Sequence, residues 1–198
     1  MSGDDISTVA LLLLTLYGLL TLGGRALLQR RSAADSGWRG ISGAVGSPAW
    51  CGGVMLAAAT LALPFTALLF PAVSMPSATR LVAGGLGFGV GFVLTVYAQH
   101  AMGSSWRVGV RAGERTALRT QGPFRWCRNP VFASMLLSVA ALVLWIPALA
   151  APWLLMFAAL ELQVRVVEEP HLLEVHGDAY RAYAIRTGRF VPGLGRLR

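Results

Sequence analysis

Glu168 and Glu169 stand side by side where a long apolar region gives way to polar chain. Two carboxylates at a helix C-terminus oppose the helix dipole, at about 0.3–1 kcal/mol each. Either the arginines of the preceding loop or a cationic ligand would remove that cost. Glu161 lies further back in the apolar region with Arg165 four residues on, the spacing of an intrahelical ion pair near a membrane interface. His171 and His176 are five apart, a poor spacing for two ligands on one helical face, so no metal site is expected. Cys51 sits in an apolar run and Cys127 beside Arg128. Two cysteines build neither a disulfide framework nor a zinc cluster. No serine or cysteine has a base paired with it, which leaves covalent catalysis without a nucleophile. The run Gly84-Gly85-Leu86-Gly87-Phe88-Gly89-Val90-Gly91 contains the small-xxx-small pairs Gly85/Gly89 and Gly87/Gly91, which permit close helix packing in lipid. It is no dinucleotide fingerprint, because no strand precedes it.

The elements that must position these groups are apolar. Hydrophobic residues make up 55% of the 198 and charged residues 13%, against roughly 25% charged in a soluble domain. Mean hydropathy is +0.60. The apolar content excludes disorder, and the scarcity of charge excludes a water-soluble globule. An all-α integral membrane protein remains, a single domain over 1–198 with three spans in 1–101 and the functional region, itself containing the last apolar stretch, in 102–198. About 20 apolar residues cross a hydrocarbon core of about 30 Å. Spans are expected near 6–28, 49–70 with Pro64 inside, and 79–100. The apolar stretch from Pro130 to about residue 167 is too long for one crossing and is broken at Pro147, so it reads as a helical hairpin, 130–146 and 148–167. An amphipathic helix follows. Asp4 and Asp5, with no basic residue before them, argue against a cleavable signal peptide.

All seventeen basic residues are arginine, giving a net charge of +8. A basic excess suggests nucleic acid in a soluble protein, but no basic face with interleaved aromatics occurs, and no nucleic-acid partner is expected. Sixteen of the arginines fall on one side of the five expected spans and Arg80 alone on the other. The positive-inside rule then puts the N-terminus outside and the C-terminal segment in the cytoplasm, with the bacterial plasma membrane the expected location.

The polar stretch between spans three and four carries Gly122-Pro123-Phe124-Arg125-Trp126-Cys127-Arg128-Asn129-Pro130, a Gly-Pro turn leading to a proline able to open the next helix. Its simplest use is as an interfacial loop anchored by Phe124 and Trp126. Several elements from Met102 to Pro192 also occur in a telling order: Leu118 to Phe132, an apolar hairpin, Glu168-Glu169, Gly177-x-x-Tyr180-x-x-Tyr183 and Arg189-Phe190-Val191-Pro192. In this order the chain resembles the isoprenylcysteine carboxyl methyltransferase-like family of membrane enzymes, which includes phospholipid N-methyltransferase relatives.

The resemblance implies an S-adenosylmethionine-dependent methyltransferase with a cytoplasm-facing cofactor pocket and an amphiphilic acceptor drawn from the bilayer. Carried over by position, Thr116, Ala117, Leu118 and Arg119 border the cofactor and Phe124 packs on it. Asn129, Pro130, Val131 and Phe132 fill the family's His-Pro-x-Tyr positions, and Glu168 is the cofactor-contacting carboxylate. Asn129 and Arg165, which stands next to the register of the family's substrate-contacting arginine, are the expected catalytic residues. Asn129 replaces a histidine and Phe132 a tyrosine; asparagine keeps hydrogen-bonding capacity but cannot titrate, and phenylalanine lacks the hydroxyl. A carboxylate or thiol acceptor suits such a site best. Two other readings stay open: a membrane sterol or enone reductase using NADPH, whose Arg-His-Pro-x-Tyr segment is similar, and a non-catalytic protein with a decayed site.

Overall fold

The computed structural model describes residues 3–33, 37, 39–109 and 116–197. Arg111, Arg115 and Arg198, three of the sixteen clustered arginines, lie outside the described residues. Helices account for almost all regular structure: α1 (Gly3–Gly18), α2 (Arg25–Ala33), α3 (Pro48–Leu69), α4 (Ala78–Met102), α5 (Pro130–Val143), α6 (Ala150–Gln163) and α7 (Glu169–Arg186). Local signals set several ends. Ser47 and Ser77 cap α3 and α4 by accepting from the amides of Trp50 and Arg80. Pro48 and Pro130 occupy the first turns of α3 and α5, where a missing N–H costs nothing.

Four helical stretches are long and apolar enough to cross a membrane: Gly3–Arg31, Pro48–Leu69, Ala78–Met102 and Pro147–Arg186. The chain is an all-α integral membrane protein. Leu12, Leu61, Phe65, Val82, Leu86 and Val93 point outward, a surface that lipid tolerates and water does not. The expected hairpin forms, but its first arm is short. α5 has 14 residues, roughly 21 Å. It nevertheless runs antiparallel to α4 from Ser134 opposite Thr95 to Trp145 opposite Arg80 and Leu81, whose carbonyls accept from the Trp145 indole at 3.2 Å. The second arm does not stop near residue 167. α6 continues into α7 through a π-helical turn, Val164–Glu168. Pro170 cannot donate to the carbonyl four residues back, which favours the wider turn before it.

The α4–α5 contact explains part of the glycine run. A Cβ on Gly84 would lie 2.3 Å from the Trp145 indole nitrogen, on Gly87 2.9 Å from the Ala141 methyl, and on Gly91 2.3 Å from the Ser138 hydroxyl. Gly85 and Gly89 do not share this role: Gly89 faces open space. The close-packing row is therefore 84–87–91, and of the two expected pairs only Gly87/Gly91 lies on it. Beside it, Thr95 bridges the hydroxyls of Tyr17 and Ser134 at 2.8 Å each, joining α1, α4 and α5. A second π turn, Leu19–Gly24, separates α1 from α2. The Thr21 carbonyl in that turn accepts from the Gln99 amide at 2.9 Å, which ties α1 to the end of α4 that bears the site.

Candidate functional site

The arginine-rich end of the bundle holds a cleft of about 970 Å³, part of it open to solvent. Its walls come from the end of α4 and the chain after it (Met102, Ser105, Arg107), from the loop segment 116–119, from Phe124, from the start of α5, and from α7. Thr116, Ala117, Leu118 and Arg119 all line it, as do Phe124, Asn129, Pro130, Val131, Phe132 and Glu168.

The Gly-Pro turn splits the two aromatics expected to anchor the loop. Gly122 takes a φ of 61°, a 3-10 turn follows over Gly122–Arg125, and Phe124 turns inward while Trp126 stays 58% exposed. Behind the cleft the C-terminal segment pairs with the chain before α5. The amides of Arg128 and Asn129 donate to the carbonyls of Gly188 and Arg189 at 2.8 and 3.0 Å. The Asn129 side-chain amide also donates to the Arg189 carbonyl, at 3.2 Å. Its oxygen remains available as an acceptor. The motif Gly177-x-x-Tyr-x-x-Tyr now has a physical meaning. Gly177 breaks the helical path of α7 with φ 52° and ψ −127°. Tyr180 and Tyr183 then form a small core with Leu118 and Leu172, and the Tyr183 hydroxyl donates to the Phe124 carbonyl at 2.6 Å.

The carboxylate pair divides. Glu169 is buried, paired with Arg128, and gripped by Arg189 through two hydrogen bonds of 2.9 and 3.0 Å. The carboxylate of Glu169 holds the Arg189 guanidinium above its ordinary value. Arg189 also reaches Glu161 at 3.2 Å. Glu168, one residue earlier, lines the cleft, and no described residue engages its carboxylate in a hydrogen bond or ion pair. Arg107 is the cation that acts on it electrostatically. Arg165 does not line the cleft. Val164 and Glu168 do, and Arg165, one position around the helix, is mostly exposed and bonded to Glu161 at 2.6 Å. Its position gives no support to a role at the reacting atoms. Burial raises the Cys127 thiol above its ordinary value, which suits a structural thiol and not a nucleophile.

Among the lining groups, Arg107, Arg128, His171 and Tyr180 were given no site role by the sequence, although Arg128 and Tyr180 stand within the segments that carry the resemblance. A helical row could have found His171, since 168, 171 and 172 lie at i, i+3 and i+4.

With this geometry in place, one comparison is decisive. The phospholipid methyltransferase family model matches residues 79–179, just over half of the chain. The chain belongs to the phospholipid methyltransferase family. That family sits among the isoprenylcysteine carboxyl methyltransferase-like membrane enzymes, in line with the resemblance. The protein is a membrane methyltransferase, and the reductase reading falls. The family match begins at α4 and ends one residue before Tyr180. No curated protein matches the chain.

Proposed function

We propose that this family member methylates an amphiphilic acceptor, a carboxylate or a thiol, with S-adenosylmethionine as donor. The observation that carries the reading is Glu168, a carboxylate turned into a cleft with no ion pair among the described residues while its neighbour Glu169 has two. A half-buried carboxylate without a partner is costly to keep charged unless a ligand completes it, and S-adenosylmethionine offers a cationic amino group. The rest of the lining fits the same molecule. Phe124 and Leu118 present apolar surface to a flat ring, the Asn129 oxygen accepts a hydrogen bond, and Arg107 and Arg119 suit a carboxylate.

The donor supplies a methyl group already activated on a sulfonium. The protein's own contribution is then alignment and exclusion of water. Glu168 would anchor the charged end, Phe132 and Val131 would wall the reacting region from the bilayer side, and the clamp on Glu169 would hold α7 against the loop. The acceptor's amphiphilic character follows from a cleft that borders α4 and α5, where a lipid-soluble molecule arrives from the membrane. Sixteen clustered arginines support a cytoplasmic cleft and an N-terminus outside.

Calorimetry on detergent-purified protein tests the donor. S-adenosylmethionine should bind saturably and NADPH should not. Binding of NADPH alone, or of neither, would remove the proposal.

A further inference from the structure

The first helical stretch lies wholly outside the matched residues 79–179, yet it reaches the rim of the cleft. It meets the end of α4 in two rungs, one helical turn apart on both helices. The Thr21 carbonyl accepts from Gln99 at 2.9 Å, and the Arg25 guanidinium donates to the Gly103 carbonyl at 2.6 Å. Gly103 closes α4, so a cation there also meets the negative end of the helix dipole. Closure uses only one of the guanidinium's N–H groups. Its plane lies 5.1 Å from the centre of the Trp106 ring, a cation–π distance, and its Nε is buried with no hydrogen-bond partner among the described residues. An orphaned buried N–H carries a cost. Arginine is therefore a poor choice if ending α4 is its whole purpose.

The residue that follows Trp106 is Arg107, and both of its neighbours are fixed. Trp106 is 3% exposed, held by Arg25 and by Gly37, where a Cβ would lie 2.8 Å from the indole. On the far side, the Val108 amide donates to the Gly37 carbonyl at 2.8 Å, and its carbonyl accepts from the Arg39 amide at 2.9 Å. The Arg107 side chain lines the cleft, donates to the Thr116 hydroxyl at 2.8 Å and is half-buried. Arg119, the other cation suited to a carboxylate, is exposed. We infer, on the methyl-donor reading above, that Arg25 is a positioning residue: by holding Trp106 it fixes Arg107 where the donor's carboxylate meets it. Arg25 lies outside the cleft lining and acts only through its neighbour. Its influence is confined to the end of the donor that Arg107 recognises.

Decarboxylated S-adenosylmethionine, which keeps the ammonium and the sulfonium, separates this role from a merely structural one. Calorimetry measures both donors on the wild-type protein, Arg25→Gln, Arg107→Gln and the double variant. Arg107→Gln should weaken S-adenosylmethionine about 10- to 150-fold, the worth of one charge-assisted bond, and should not weaken the decarboxylated donor. Arg25→Gln should weaken S-adenosylmethionine about 3- to 30-fold and leave the decarboxylated donor nearly unchanged. The double variant should bind S-adenosylmethionine no worse than Arg107→Gln alone, because both changes remove the same contact. Three outcomes overturn the inference: Arg25→Gln weakens both donors equally, as loss of helix closure would; it weakens neither; or the two effects multiply in the double variant. If Arg25→Gln fails to fold, Arg25→Lys, which keeps the charge without the planar guanidinium over Trp106, is judged by the same outcomes. Equal wild-type affinity for the two donors, unchanged in Arg107→Gln, removes the inference and leaves the donor reading standing. A wild-type protein that binds neither donor removes the donor reading, and this inference with it.

Discussion

Glu168 and Glu169 are adjacent in sequence and opposite in fate. One joins two guanidiniums in a buried cluster; the other looks into the cleft. Their substitutions should separate accordingly. A charge-assisted bond in a partly desolvated site is worth roughly 1.5–3 kcal/mol. Glu168→Gln should therefore weaken S-adenosylmethionine binding about 10- to 150-fold, at 1.4 kcal/mol per decade, with thermal unfolding little changed. Calorimetry reads the first and differential scanning the second. Glu169→Gln should do the reverse. Removing one partner of a buried ion pair costs about 3–5 kcal/mol, because the remaining charge is stranded. Here two guanidiniums lose that partner, although Arg189 keeps Glu161 and Arg128 its backbone carbonyls, so the melting temperature of the detergent-solubilised protein should drop. The sequence offered two sources of positive charge for the pair, loop arginines or a ligand, and left the choice open. Arg128 from the loop serves Glu169, whereas no described residue pairs with Glu168. The third member, Arg189, was not legible because it acts across twenty residues of α7 and its tail.

Among the helices, the closest approach is between α4 and α5, and it makes a pair of glycines unequal. Gly91→Leu must displace the Ser138 backbone and hydroxyl, which a Cβ alone would approach to 2.8 and 2.3 Å. Overpacking of this kind costs about 1–3 kcal/mol or more. Gly89→Leu points into open space and should melt near the parent temperature. Unfolding curves of the two variants measure the difference. Packing as the purpose of the run was readable from its composition. Which glycines pack was not, because the facing helix sets the register. The bend in α7 gives a second contrast. Gly177 has room for a methyl group, yet its φ of 52° with ψ of −127° suits only glycine. Gly177→Ala should cost about 1–3 kcal/mol by strain alone. It should also loosen the Tyr183 bond to the loop, seen as faster amide exchange at Phe124.

Across the whole molecule, hydropathy located every apolar pass and misjudged two lengths. α5 is shorter than a span usually is, and Leu144–Ile146 continue it as a turn level with the start of α4. α6 and α7 run together because the π turn absorbs Pro170 instead of ending the helix. Neither outcome shows in a window average. The cleft was legible as a set of residues through the resemblance, whereas His171, which also lines it, stood out in the sequence only as a poor metal ligand. Arginine asymmetry makes a prediction at this scale. Reporters fused after Arg39, Ser77, Gln121, Pro147 and Leu197 should read cytoplasm, outside, cytoplasm, outside, cytoplasm. A cytoplasmic signal at Pro147 would mean that α5 does not cross.

The grip of Arg189 on Glu169 has a consequence in time. Chains are synthesised at about 5–20 residues per second, and Arg189 follows Glu169 by 20 residues. For about 1–4 s a growing chain carries Arg128 and Glu169 without the second guanidinium or the tail carbonyls that complete the cluster. The helices can enter the bilayer during that interval, but the cleft's back wall cannot close. A ribosome that stalls between residues 170 and 188 would thus leave inserted helices beside an open, half-neutralised site whose α7 is not yet complete.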